Sequence, residues 1–209
     1  MSTLERLACG LGRNDEAPNI ELAKELCQND DTAGITEIVG GFTGTDKAVA
    51  NDCIKVLYEI GERKPELIAG YTNEFIARLR SKNNRLAWGS MTALAKIAEL
   101  SPKPIYDKLS VVIEAYEVGS VITIDNAISV FAGLYKANES YEKDILPVLI
   151  SHLTRCRPKD VPQHAERTAI CFNKSNKDAF IEVLEKRLPS LTAPGQSRVK
   201  KLLKKLYDI

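Results

Sequence analysis

Three side chains of the kinds that bind metals lie close together in the chain: His152, Cys156 and His164. His152 and Cys156 are four residues apart, so they would share one face of a helix. Zinc binds imidazole nitrogens and thiolates, but most zinc sites use three or four protein ligands, and the sequence holds only two histidines. We therefore interpret these residues as a surface histidine beside a half-buried cysteine, and we expect neither a metal nor a cofactor.

A cysteine nucleophile with a histidine base is the second chemistry to consider, using Cys156 or Cys171 with His164. Such a cysteine is usually activated by a helix N-terminus or by fixed positive charge, and neither cysteine has a sequence context of that kind. The glycine-rich run from Gly40 to Asp46 lacks the Gly-Lys-Ser/Thr of a phosphate-binding loop, so it predicts a turn between helices. We predict no catalytic residue and no enzyme activity.

The composition is that of an ordinary globular protein, with 44% hydrophobic and 27% charged residues in a chain of 209. No segment approaches the roughly 18–20 uninterrupted apolar residues that span a bilayer, and the N-terminus does not resemble a secretory signal. The five cysteines are scattered and form no CxxC pair, which argues against a disulfide framework or a zinc ribbon. These features predict a cytoplasmic protein that does not bind membranes.

A repeat of 37 residues organises the chain. Two helical patterns per unit share this offset over three units, which is typical of a solenoid of helical hairpins. No strand-like alternation persists anywhere. The recurring apolar positions are 54/91/128, 57/94/131 and 60/97/134 in the second helix, and 76/113/150 and 79/116/153 in the first. The predicted helices are 19–27, 32–44, 46–62, 66–81, 84–100, 104–118, 122–137, 141–156, 163–173, 178–191 and 196–208.

Two segments resemble a known repeat family. Residues 45–61 resemble the second helix of a HEAT repeat, and residues 144–150, with Pro147, resemble its kinked first helix. The similarity extends from about Thr32 to the end of the chain. It implies an all-α, right-handed α-α superhelix of about five helical hairpins, in which a short N-terminal cap (1–30) and the repeats (31–209) form a single continuous domain. The chain departs from the family where arginine is usual early in the second helix, at Ala50, Ala87 and Thr123.

The resemblance implies that the second helices line a concave binding surface. Trp88 aligns with Asn51 and Asp125 in the sister units, so we expect it to be partly exposed, either as a contact residue or packed locally. Tryptophan is the residue type most enriched at binding hot spots. The sequence therefore predicts a non-catalytic scaffold or adaptor that binds a protein partner. The predicted partner-binding residues are Lys55, Glu59, Trp88, Thr92, Lys96 and Ser129.

Charge is distributed unevenly along the chain, although the formal net charge is only +1. Residues 1–62 carry a net charge of −7 and residues 151–209 a net charge of +7. The basic end supports an alternative function, nucleic-acid binding, and HEAT-like alkylpurine DNA glycosylases extend that alternative to DNA repair. Those enzymes are basic along the concave face, whereas the first third of this chain is acidic. Opposite charges at the two ends also permit head-to-tail self-association. The candidate phosphate contacts are Arg155, Arg157, Arg167, Lys174, Lys200, Lys201 and Lys204.

Overall fold

The computed structural model describes residues 2–208, and within that range the chain forms twelve α-helices and no β-strand. The all-α prediction is therefore confirmed. The helices are α1 (Ala17–Gln28), α2 (Thr32–Thr43), α3 (Lys47–Arg63), α4 (Thr72–Arg78), α5 (Asn84–Ile97), α6 (Pro102–Tyr106), α7 (Leu109–Val118), α8 (Val121–Ala137), α9 (Glu142–Arg155), α10 (Val161–Thr168), α11 (Lys177–Arg187) and α12 (Ala193–Tyr207). Short 3₁₀ turns lie at Leu4–Arg6, Pro65–Leu67, Ala69–Tyr71, Glu139–Tyr141, Ala169–Cys171 and Leu188–Ser190.

Consecutive helices pack together in pairs: α2 contacts α3, α4 contacts α5, α9 contacts α10, and α11 contacts α12. The contacts divide the chain into two compact units, one ending at Val130 and the other beginning at Phe131, with the division inside α8. Each unit has its own core. The single continuous domain expected from the sequence stays a prediction.

Two of the predicted first helices are interrupted. The segment predicted as helix 66–81 begins with two 3₁₀ turns and becomes α-helical only at Thr72, and it contains Gly70, a poor helix former. The segment predicted as helix 104–118 is divided into α6 and α7 at Lys108, where φ is −117° and ψ is 24°. No glycine or proline marks that second break, so the apolar periodicity could not locate it.

The core of the first unit is built from the repeat positions. Ile54, Leu57 and Ile60 of α3 are fully buried, as are their counterparts Met91, Leu94 and Ile97 of α5. Where α3 and α5 meet, a Cβ built on Gly89 would lie 2.6 Å from Ile54 Cγ1, so the two helices approach too closely for a larger residue. The 37-residue repeat is thus a repeat of core positions.

The N-terminal segment closes the first unit through backbone hydrogen bonds. Leu7 is fully buried, and the N–H of Ala8 donates to Oδ1 of the buried Asn19 at 2.9 Å. The N–H of Cys9 donates to Asp52 Oδ2 of α3 at 2.8 Å. This irregular segment therefore covers the start of the stack and brings its own charged residues against α3.

The second unit has an aliphatic and aromatic core. Phe172 and Phe180 stack with ring centroids 3.9 Å apart, and Leu149 and Leu184 are fully buried. On α12 the apolar side chains of Val199, Leu202, Leu203 and Leu206 are buried, while the lysines of that helix are exposed. Over residues 2–208, none of the helices combines the length and apolar character required to cross a membrane.

Candidate functional site

The second helices of the first unit carry a half-buried aromatic pair. The ring of Trp88 on α5 lies 5.7 Å from the ring of Tyr58 on α3, at an interplanar angle of 46°. The ammonium of Lys55 lies 4.8 Å from the Tyr58 ring centroid, a cation–π distance. Trp88 is thus partly exposed and packed on a neighbouring helix. We call the surface formed by Tyr58, Glu59, Trp88, Thr92, Lys96 and Ser129 the second-helix face.

Lys55, predicted to be a partner-binding residue, is buried beneath that surface. Its side chain is only 8% exposed, and its Nζ lies 2.9 Å from Glu59 Oε1 and 3.0 Å from Glu16 Oε2. Burial alone would lower the pKa of Lys55, but the hydrogen bonds to Glu59 and Glu16 outweigh it, and the net pKa is raised. The ammonium is therefore held charged inside the protein, which corrects the expectation that Lys55 offers its charge to a partner.

Glu16, which lies outside the repeat, pairs with the buried ammonium of Lys55. Its second carboxylate oxygen accepts a hydrogen bond from Arg85 Nη2 at 2.6 Å, so one carboxylate links α3 to α5. Sequence reasoning missed Glu16, Tyr58 and Arg85. Tyr58 could have been found, because it adjoins Glu59 and aligns with Ala95 and Ala132 as an aromatic exception. Glu16 lies in an irregular segment that no periodicity describes.

The remaining predicted residues of the second-helix face are partly exposed. Lys96 forms an ion pair with Glu62 of α3. The hydroxyl of Thr92 donates to the Trp88 carbonyl at 2.8 Å and accepts from Asn126 Nδ2 of α8 at 3.1 Å. Ser129 is half-buried on α8. The structure therefore places these side chains on three successive second helices, tied together by polar contacts between helices.

The basic residues named as phosphate contacts all lie in the second unit, which carries 15 basic and 9 acidic residues, a net charge of +6. Arg157 is paired with Asp160, its Nε lying 2.6 Å from Oδ2, and Arg167 is half-buried. Arg198 forms two hydrogen bonds with Glu166, and these bonds lower the pKa of that carboxyl. Part of the positive charge is thus neutralised within the unit. The exposed members of the predicted set are Arg155, Arg157, Lys174, Lys200, Lys201 and Lys204.

The two histidines of the chain form a buried pair inside the second unit. His152 of α9 and His164 of α10 are 3% and 1% exposed, so the interpretation of a surface histidine is wrong. His152 Nε2 lies 2.8 Å from His164 Nδ1, and Cys156, directly after α9, completes a set whose ligand atoms all lie within 4.8 Å of one another. Burial, followed by repulsion from His164, lowers the pKa of His152 to about 4, which keeps its ring neutral near pH 7.

Arg187 of α11 holds the chain next to this cluster. Its guanidinium donates hydrogen bonds to the carbonyl oxygens of Leu153, Thr154 and Cys156, at 2.9, 2.6 and 2.6 Å. The last carbonyls of a helix have no intrahelical partner, so one planar cation with several donors satisfies them well. Arg187 therefore fixes the backbone that carries Cys156, a role that nothing in the sequence pattern indicated.

The thiols of the second unit lack the properties of a nucleophile. Burial raises the pKa of Cys171 to about 12, and burial also raises the pKa of Cys156, with Arg187 opposing it only in part. An activated cysteine has a lowered pKa, because the thiolate is the reactive form. The raised pKa values thus argue against covalent catalysis by either thiol.

The fold matches several solved structures along nearly its whole length. An engineered protein solved by a structural genomics consortium has a TM-score of 0.70 and 22% identity, covering 100% of this chain and 98% of its own. A designed armadillo repeat protein in complex with the peptide (KR)4 has a TM-score of 0.70 and 16% identity, with 88% and 85% coverage. A second designed armadillo repeat protein has a TM-score of 0.68 and 16% identity, with 98% coverage of both chains.

These likenesses establish the fold: the chain is a HEAT/armadillo-like solenoid of helical repeats. Neither a protein-family model nor a curated protein sequence matches it. At these identities the likeness shows the fold alone, because one fold serves many functions.

Proposed function

We propose that the protein is a non-catalytic scaffold that binds a segment of a protein partner along the second-helix face. The observation that carries this proposal is the half-buried Trp88–Tyr58 pair, surrounded by ion-paired and hydroxyl side chains on successive second helices. Binding hot spots are commonly aromatic anchors inside a ring of polar contacts. A cytoplasmic location, which the scattered free cysteines favour, is part of the same proposal.

The likeness to designed repeat proteins supports a peptide-like partner. One of those designs is in complex with the peptide (KR)4, so a protein of this architecture can bind a peptide. Here the second-helix face carries both Glu59 and Lys96, each already paired within the protein. A mixed surface of this kind favours a partner that adds apolar contact with Trp88 and hydrogen bonds at its edges over one recognised by charge alone.

The proposal is tested by selecting binding peptides from an unbiased displayed library with the intact protein. Trp88 is the only tryptophan of the chain, so a peptide that contacts the second-helix face should change its fluorescence. Loss of a hot-spot side chain costs about 2 kcal/mol or more, so Trp88→Ala should weaken an immobilised-peptide interaction about 30-fold. Lys96→Glu should also weaken binding, whereas Lys55 is left intact because it is buried.

The matched control is Lys103→Glu. It reverses the charge of a lysine that is ion-paired, as Lys96 is, but that lies on α6, in a first helix of a repeat. Binding that persists in Trp88→Ala and Lys96→Glu, or that is lost equally in Lys103→Glu, would contradict this location. Circular dichroism of each variant shows whether it is folded.

Nucleic-acid binding through the second unit is the second candidate, and the exposed lysines of α12 favour it. Contacts with phosphates release counterions, so the affinity for duplex DNA should fall steeply between about 50 and 200 mM salt. Reversal of Lys200, Lys201 and Lys204 to glutamate should abolish that binding. Equal binding by the reversed variant, or an affinity independent of salt, would exclude this candidate.

Head-to-tail self-association is the third arrangement that the charges favour, because the first unit has a net charge of −5 and the second +6. Contacts of that kind are heterologous and are weakened by salt. Sedimentation velocity at low and high salt distinguishes the outcomes: a mass that grows only at low salt supports self-association, and a monomer at both refutes it.

A further inference from the structure

The His152–Cys156–His164 cluster has the composition of a zinc ligand set. It supplies two imidazoles and one thiol from a single helical hairpin, and the neutral imidazole and the thiolate are the forms that bind zinc. His152 lies in the last turn of α9, Cys156 follows that helix, and His164 lies in α10. The three side chains therefore converge from both sides of one interhelical turn.

The distances are close to those of a tetrahedral site. With Zn–N near 2.0–2.1 Å and Zn–S near 2.3 Å, tetrahedral geometry requires about 3.3 Å between two nitrogens and about 3.6 Å between nitrogen and sulfur. The two facing nitrogens are 2.8 Å apart, and all three ligand atoms lie within 4.8 Å. Zinc binding therefore requires the two nitrogens to separate by about half an ångström and the Cys156 sulfur to lie about 3.6 Å from each of them.

The cluster is open on one side, and the backbone of its cysteine is held in place. Both histidines are buried, whereas Cys156 is half-exposed, so an ion and a water molecule can approach from the cysteine side. Arg187 Nη2 donates to the Cys156 carbonyl at 2.6 Å, which fixes the backbone position of this ligand.

We infer that His152 Nε2, His164 Nδ1 and the Cys156 thiolate bind one zinc ion, with water in the fourth position, and that this ion fastens the end of α9 to α10. The competing explanation is a hydrogen-bonded histidine pair that serves only as part of the core. The two differ in their dependence on zinc, since a core pair needs no metal.

The experiment uses the full chain, purified without a polyhistidine tag and stripped with a chelator, and titrates it with zinc chloride and with cobalt chloride. We expect one zinc per chain. Cobalt should give the visible absorption of a tetrahedral site together with a sulfur-to-metal charge-transfer band. At zinc a hundredfold above its dissociation constant, the melting temperature should rise by about 5–10 °C.

The variant Cys156→Ser should lose the charge-transfer band and bind zinc at least about tenfold more weakly, since second-shell changes alone cost 10–100-fold. The matched control, Cys9→Ser, removes another half-exposed thiol from the first unit and should bind zinc as the unaltered protein does. Absence of zinc binding at micromolar concentration, or equal binding by Cys156→Ser and Cys9→Ser, would overturn the inference. The spectrum of the unaltered protein decides the matter even if a variant fails to fold.

Discussion

The close approach of α3 and α5 can be tested with one methyl group at Gly89. In Gly89→Ala the new Cβ would lie 2.6 Å from Ile54 Cγ1 and 3.4 Å from Ile54 Cγ2, and Ile54 is fully buried. Overpacking of this kind costs about 1–3 kcal/mol, while replacing a helical glycine by alanine gains about 1 kcal/mol. The net destabilisation expected for Gly89→Ala is therefore about 0–2 kcal/mol.

A control in the same unit isolates the steric part of that cost. Gly40 lies in α2, and a Cβ built on it meets nothing within 4 Å, so Gly40→Ala should stabilise the protein by about 1 kcal/mol. The difference between the two variants, measured by urea denaturation and circular dichroism, should be about 1–3 kcal/mol.

The clash itself can be removed by truncating its partner. Ile54→Ala alone should cost about 2–5 kcal/mol through the cavity it leaves, but it also removes the atom that the new methyl would meet. Combined with Gly89→Ala, the two changes should therefore cost less than their sum. Two results would contradict the close contact between α3 and α5. One is a stabilisation by Gly89→Ala equal to that by Gly40→Ala; the other is a change in unfolding free energy of the double variant equal to the sum of the two single changes.

Three further predictions concern Arg187, Lys55 and the half-exposed thiol of Cys9. Arg187→Met removes the donors to three carbonyls at the end of α9 and should lower the free energy of unfolding by about 2 kcal/mol. The control Lys186→Met breaks an exposed ion pair and should lower it by less than about 1 kcal/mol. Denaturant unfolding measures both. Lys55→Met removes a buried ammonium from between Glu16 and Glu59, which keep Arg85 and Arg63 as partners, and should cost about 1–3 kcal/mol. Lys96→Met breaks a more exposed ion pair and should cost about 0–1 kcal/mol in the same assay. Burial, then Asp52, raises the pKa of Cys9 to about 11, so its labelling by a thiol reagent should speed up about tenfold per pH unit between pH 7 and 10; a plateau near pH 8 would contradict that pKa.

Most of the fold could be predicted from the sequence because one period governs it. Each helical hairpin must bury the same stripe against its neighbours, so apolar side chains recur at Ile54, Met91 and Ile128, and all three are fully buried. The helix ends were also predictable where a capping side chain marks them. Asp46 accepts hydrogen bonds from the N–H groups of Ala48 and Val49 at the start of α3, as expected for an N-cap.

The repeat says less about residues whose partners lie outside it. Lys55 aligns with Thr92 and Ser129, which are half-buried, and its own burial depends on Glu16 in the irregular segment before α1. The position of a carboxylate in such a segment has no periodicity from which to predict it. For the same reason the register indicated that Trp88 would be partly exposed, but it could not indicate that Tyr58 would be its neighbour.

The departures from the repeat are the positions at which this chain differs chemically from a generic solenoid. In the 37-residue register His152 aligns with Ala115, which is 6% exposed, and with Arg78, which is half-buried, so the register alone did not fix the burial of this position. A polar ring at a core position costs free energy unless it is paired, and here the nearby His164 supplies the pairing. Trp88 shows the opposite exchange, since a large aromatic residue stands where the sister units carry Asn51 and Asp125. Core positions that become polar and surface positions that become aromatic are both unnecessary for stacking helices, and they are therefore the residues on which a specific role in this protein should depend.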